Sequence, residues 1–123
     1  MNPTKGAEVS DLTQFLLARI AEDYADAMSG WRWKSLPAGE YERLQARVLR
    51  ECEAKRRIVE AWEDERQRKD IYNRDYPLGL LTTDGDLRAR LSANARWAGL
   101  DVAAGALASV YADHADYREE WCP

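Results

Sequence analysis

The residues best equipped for chemistry stand near the C-terminus, where Asp113, His114, Asp116, Glu119 and Glu120 set the only histidine of the chain among four carboxylates. An imidazole beside carboxylates can bind a divalent cation or pass protons in acid and base steps. A metal-dependent enzyme centred on His114 is therefore one reading of this chain. The plainer reading puts His114 at a helix C-terminus, where an imidazolium meets the negative end of the dipole, and leaves the acids to water. The sequence has no phosphate-cradling glycine loop, H-E-x-x-H, C-x-x-C, EF-hand loop or G-x-S-x-G elbow. With one histidine and two scattered cysteines, nucleophilic or zinc catalysis is not expected, and no catalytic residue, metal ligand or cofactor is assigned.

Two other groups bear on binding. Arg43, Arg47, Arg50 and Arg57 fall together on one side of a helix at 100° per residue, the only basic stripe in the chain and the basis of a nucleic-acid-binding alternative. Acids flank the stripe, and the i,i+4 pairs Glu51 with Lys55, Glu53 with Arg57, Asp64 with Arg68 and Glu65 with Lys69 favour a solvated, salt-bridged face. Trp31, Arg32 and Trp33 form the second group. An arginine between two indoles can stack bases or cap a groove, though such tryptophans more often fold back over a small core.

The 123 residues fit one domain over 1–123, with residues 1–9 expected as a flexible lead. Leu, Ile, Val and Phe together supply only 22 residues, about 18%, which on its own leans towards disorder. The net charge of −4, with 5 Trp and 6 Tyr, decides for a folded chain with a thin, aromatic-rich core. A thin core makes a protein partner, and a homodimer in particular, an expectation. No basic half marks a nucleic-acid binder, so nucleic acid is not an expected partner. The leader MNPTKGAEVSDLTQ has no apolar stretch behind basic residues, and no run approaches the ~18 apolar residues of a spanning helix. A cytoplasmic protein with Cys52 and Cys122 as thiols, away from any membrane, is expected.

These groups need elements to hold them. Ser10 and Asp11 open a helical pattern through Leu12, Phe15, Leu16, Ile20, Tyr24 and Ala27 that Gly30 stops. Glu40 to about Arg74 lacks Gly and Pro and predicts one helix of roughly 30 residues, with Tyr41, Leu44, Val48, Cys52, Val59 and Trp62 on one side, interrupted by Lys55. The helix should end before Tyr76-Pro77. Asp84 or Asp86 can cap a third helix bearing Leu87, Leu91 and Trp97 and broken at Gly99. The charge-free run Val102 to Ala112 reads as a helix buried all round. Tyr117 and Trp121 share a face if the tail is helical, and are expected to dock near Val59 and Trp62 of the long helix.

Three segments carry a resemblance: DLTQFLLARIAED (Asp11 to Asp23), RVLRECEAKRRIVE (Arg47 to Glu60) and LASVYADHADYREEWCP (Leu107 to Pro123). With their R-V-L-R-E-x-E-A-K-R-R-I-V and Y-A-D-H-x-x-Y-R-E-E-W runs, they resemble a domain of unknown function found in small proteins of actinobacteria and their phages. The resemblance implies an α-helical accessory protein and transfers no activity. Relatives often have cysteines ahead of the tail and proline at the position of Ala115; residues 76–106 here hold no cysteine. The expectation is an all-α fold of three or four helices around one long central helix. Its function would be a non-enzymatic protein-interaction module of unidentified target, such as a phage-encoded modulator of a host protein. Tyr111, Tyr117, Trp121, Trp31 and Trp33 are the candidate partner contacts.

Overall fold

The computed structural model describes residues 9–30, 33–75 and 83–122. Among them run three α-helices, α1 (Asp11–Ser29), α2 (Ala38–Asp75) and α3 (Asp84–Ser109), followed by a short 3-10 turn, Glu119–Trp121, and no strand. The fold is all-α, as expected, with α2 as the long element. The anticipated flexible lead lies, apart from Val9, outside the described residues, as do Trp31, Arg32 and the Tyr76-Pro77 step.

Local chemistry explains both ends of α1. The Ser10 hydroxyl accepts a hydrogen bond from the Thr13 N–H at 3.1 Å, satisfying one of the orphan donors of the first turn. Gly30 ends the helix at φ 64, with its N–H bonded to the Asp26 carbonyl. That left-handed conformation suits a residue without a side chain. Space demands glycine as well, because a Cβ at Gly30 would fall 1.5 Å from the Tyr41 hydroxyl.

The chain then reverses and α2 runs back along α1. The Ser10 N–H meets Glu63 Oε1 at 2.8 Å, and Gln45 Nε2 donates to the Ala27 carbonyl at 2.9 Å. α1 therefore covers α2 from about residue 45 to residue 63 and no further. α2 begins at Ala38, two residues before the expected Glu40, because Pro37 has no N–H to lose and a φ already suited to a first helical turn.

α3 departs from expectation at three points. Its N-cap is Thr83, whose hydroxyl accepts from the Asp86 N–H at 3.1 Å, rather than Asp84 or Asp86. The helix continues through Gly99 to Ser109. A single glycine costs a helix only about 1 kcal/mol relative to alanine, and the flanking Ala95, Arg96, Ala98 and Leu100 are good helix formers. The charge-free run is not buried all round: Val102 is 69% and Val110 65% exposed, while Ala104 and Ala108 are fully covered. α3 packs on α2 and barely touches α1, so one face finds neighbours and the rest does not.

The core cluster is Phe15, Leu16, Ile20, Cys52, Val59, Trp62, Ala104 and Ala108. All of it lies where α1, the first two-thirds of α2 and the second half of α3 meet, and we call this the body. Beyond it, residues 64–75 of α2 and 84–96 of α3 form a two-helix arm in which, among the described residues, Arg90 alone is buried. Arg90 lies over the Tyr72 ring at 5.1 Å and donates through Nη2 to Asn73 Oδ1. Among the described residues no helix is long and apolar enough to cross a membrane.

Candidate interaction surface

After Ser109 the chain leaves the α-helix in successive tight turns. The Tyr111 N–H bonds to the Ala108 carbonyl, the His114 N–H to Tyr111 and the Tyr117 N–H to His114. A three-residue repeat stacks side chains three apart on one side. Tyr111, His114 and Tyr117 therefore descend together onto Phe15 of α1, with ring centroids at 6.3, 5.7 and 6.1 Å, and Trp121 completes the set at 4.9 Å. The tail docks with its rings on Phe15 of α1, and Trp121 also shares a cleft with Trp62 of α2, beside the core cluster that holds Val59. The Trp62 indole itself stacks on Trp97 at 5.5 Å, and its N–H donates to Asp101 Oδ1 at 3.1 Å. The candidate contacts Tyr111, Tyr117 and Trp121 are thus half-buried within the chain. Trp33 packs edge-on to Tyr41 at 6.3 Å, and Trp31 is outside the described residues.

Polar contacts fasten the tail. The Tyr111 O–H donates to Asp23 Oδ2 at 2.7 Å; burial first, and then the Asp23 carboxylate, push that hydroxyl far above its ordinary range, so it stays protonated. Arg118 pairs with Asp11 at 2.9 Å and lies over the Trp121 ring at 5.4 Å. Lys55, the charge that interrupts the apolar side of α2, sits over the Tyr111 ring at 5.9 Å instead of pairing with Glu51.

His114 does not lie at a helix end, since α3 stops at Ser109. It abuts Arg19, whose Nη1 lies 2.8 Å from Nδ1 and 2.5 Å from Nε2, while the Asp116 N–H donates to Nδ1 at 3.0 Å. Arg19 is 9% exposed, bridges to Glu22 at 3.0 Å and rests over Phe15 at 5.3 Å. A guanidinium against the imidazole repels a metal cation from the ring that would have to ligate it. Asp113, Glu119 and Glu120 point to solvent. Among the described residues no three His, Cys, Asp or Glu side chains gather as a metal site. Arg19 is the partner that sequence reasoning missed; a charge inside an otherwise apolar stripe gives no sign of what it will meet.

Arg43, Arg47, Arg50 and Arg57 are all exposed on α2. Arg47 pairs with Glu51 at 3.1 Å and Arg57 with Glu53 at 3.4 Å, so carboxylates interleave the stripe. Phosphates would have to displace them, and few counterions would be released. Asp64 and Arg68 pair at 3.9 Å as expected, whereas Glu65 turns to Arg68 and Arg96, and Lys69 covers Trp97 at 4.8 Å.

Two further surfaces bear on binding. One is a groove of about 410 Å³ between α1 and α2, floored by Leu17, Ile20, Ala21 and Cys52. Burial first, and then nearby Asp23, push the Cys52 thiol up, so it is a poor nucleophile. The other is α3 itself. Arg90, Trp97, Ala104 and Ala108 occupy a narrow sector facing α2, and roughly a third of a turn away Leu87, Leu91, Ala95, Ala98 and Val102 share a second sector about 80° wide. All five of the latter are exposed: Leu87 to 42%, Leu91 to 66% and Val102 to 69%. Of the apolar residues expected on this helix, Trp97 lies on the inner face and Leu87 and Leu91 do not; the 7-7-4 spacing of 90, 97, 104 and 108 is the signal that marks the inner face.

No curated protein and no solved structure matches the chain. The family of unknown function DUF6221 matches residues 9–123, a stretch that takes in all three helices and the docked tail, and the chain belongs to that family.

Proposed function

We propose that this chain is a non-enzymatic, α-helical protein-interaction module whose contact surface is the outward face of α3, from the arm to Val102. One observation carries the reading: among the described residues the arm holds no buried apolar side chain, yet Leu87 and Leu91 stand 42% and 66% exposed along it. A continuous apolar strip on a helix is what soluble chains keep for a partner. The aromatic tail then serves to lock the body on which α3 is mounted. The finer reading is a modulator of a host protein, encoded by an actinobacterial phage and acting in the cytoplasm. It draws on the R-V-L-R-E-x-E-A-K-R-R-I-V and tail motifs and on the free state of Cys52 and Cys122.

The test is capture from an actinobacterial lysate with the intact chain and with Leu91→Asp, helicity being checked by circular dichroism. The variant should keep its helix content and lose whatever the intact chain binds specifically. Equal capture by both would contradict this choice of surface.

A further inference from the structure

We propose that the outward face of α3 pairs with the same face of a second copy, antiparallel about a two-fold axis beside Ala95, so that each arm lies on the other copy's body. This rests on the reading of α3 as the contact surface and names its occupant. The argument starts from two deficits on one helix. Near residue 90, among the described residues, the arm has no third layer, because α1 starts beside Glu63 and does not reach it. Near residue 102 the body's α3 leaves Val102 uncovered. A two-fold axis between them exchanges the two positions, and a single contact made twice supplies what each lacks.

Side-chain sizes agree with that axis. Read antiparallel about positions 94 and 95, Leu87 falls opposite Val102 of the second copy, Leu91 opposite Ala98, and the helices cross at Ala95. Leu91 thus lies over an alanine, Leu87 meets another apolar side chain, and Ala95 at the centre permits close approach. A receptacle for Leu87 is present. Beside Val102 a cleft of about 580 Å³ opens between α3, the start of α1 and the tail, lined by Gly105, Leu12, Trp62 and Trp121. Its rim carries Asp11, Arg118 and Glu120, and the entering helix end carries Asp84, Asp86 and Arg88, so mixed charges meet mixed charges. Arg90, Arg96 and Asp101 are turned to α2 through Asn73, Glu65 and Trp62, which keeps α3's other charges out of the seam. A strip running from Asp84 to Gly105 is roughly 32 Å long and one helix (~10 Å) wide, about 640 Å² over the two copies, which is in the range of weak, transient contacts rather than of permanent ones. The dimer is therefore expected to be concentration-dependent in the micromolar range.

Two measurements on the full chain test this. Light scattering should move from the 14.1 kDa chain mass to twice that value as concentration rises. Leu91→Asp, which puts a charge on the seam of both copies, should weaken the association about 100-fold or more. Register is read by oxidation in a Cys122→Ser background, since Cys122 is exposed and Cys52 buried. Ala95→Cys should form a disulfide with itself. Val102→Cys alone should not, being roughly 22 Å from its counterpart along the axis, yet it should cross-link when mixed with Leu87→Cys. A monomer mass at every concentration overturns the second copy, as does Val102→Cys linking to itself with no product from the mixture. If the chain stays monomeric while Leu91→Asp still abolishes capture of another protein, only the second copy is rejected. Variant-insensitive capture instead rejects the interaction surface itself.

Discussion

α2 runs through two surroundings. Up to about Glu63 it has α1 on one side and α3 on another, with Cys52, Val59 and Trp62 closed off among Leu16, Ile20, Ala104 and Ala108. From residue 64 onward, among the described residues, it has α3 alone, and the pair hold each other through a buried arginine, a stacked lysine and the ion pair of Arg96 with Glu65 at 3.9 Å. The helical backbone is the same in both stretches. What differs is the number of apolar neighbours, and that number sets how much each stretch contributes to stability. Exposed ion pairs contribute little, so the body stabilises the fold and the arm depends on it, or on a partner.

The largest expected effect contrasts the two regions with one substitution type. Leu16→Ala removes a side chain with no exposure and should cost about 3 kcal/mol or more. Leu91→Ala in the arm of the dilute chain should stay within about 0.5 kcal/mol. Denaturant melts of both variants check this, and similar losses would erase the distinction. The tail comes next. Trp121→Ala opens the aromatic set over Phe15 and should cost about 2 kcal/mol or more, measured the same way; a truncation ending at Asp116 that left the melting temperature unchanged would show that the tail is no part of the body.

Much of this was legible in the sequence, for reasons particular to each element. The hydroxyl of Ser10 and the freedom of Gly30 act within one helical turn, so both ends of α1 could be read directly. The length of α2 followed from the lack of any Gly or Pro between Glu40 and Arg74. The tail was harder, since the spacing of Tyr117 and Trp121 suits an α-helix as well as it suits tight turns, and only the three-residue repeat places Tyr111 and His114 over Phe15. The charge-free stretch of α3 misled because composition states what a helix tolerates around it, while burial is decided by which neighbours arrive. Arg19 and His114 are separated by most of the chain, and no local pattern joins them.

Glu63, at the junction of body and arm, offers a smaller effect with a pH signature. Burial pushes its carboxyl up, but the Arg66 side chain at 2.7 Å, the Ser10 N–H at 2.8 Å and the Thr13 hydroxyl outweigh it and hold the group below its ordinary range. The native carboxyl thus binds its proton more weakly than the unfolded one. Its stabilisation is complete above the usual glutamate value near pH ~4.3 and is lost as pH falls through the lower native value. Glu63→Gln should cost about 1 to 2 kcal/mol at neutral pH, and the gap to the unaltered protein should shrink on acidification. A gap that is constant with pH would contradict this role. The smallest effect is a gain: nothing lies within 4 Å of a Cβ at Gly99, so Gly99→Ala should stabilise the chain by about 0.5 to 1 kcal/mol in thermal melts. Any loss would mean that Gly99 is needed for close packing.

The division between body and arm is tested most directly by amide hydrogen exchange on the chain at high dilution. The account predicts that residues 64–75 and 84–96 exchange through local opening at least about 100-fold faster than residues 15–27 and 52–62, whose exchange should approach the rate set by global unfolding. Equal protection of the two regions in the dilute chain would contradict it, because the arm would then possess a stability that its own contacts do not supply.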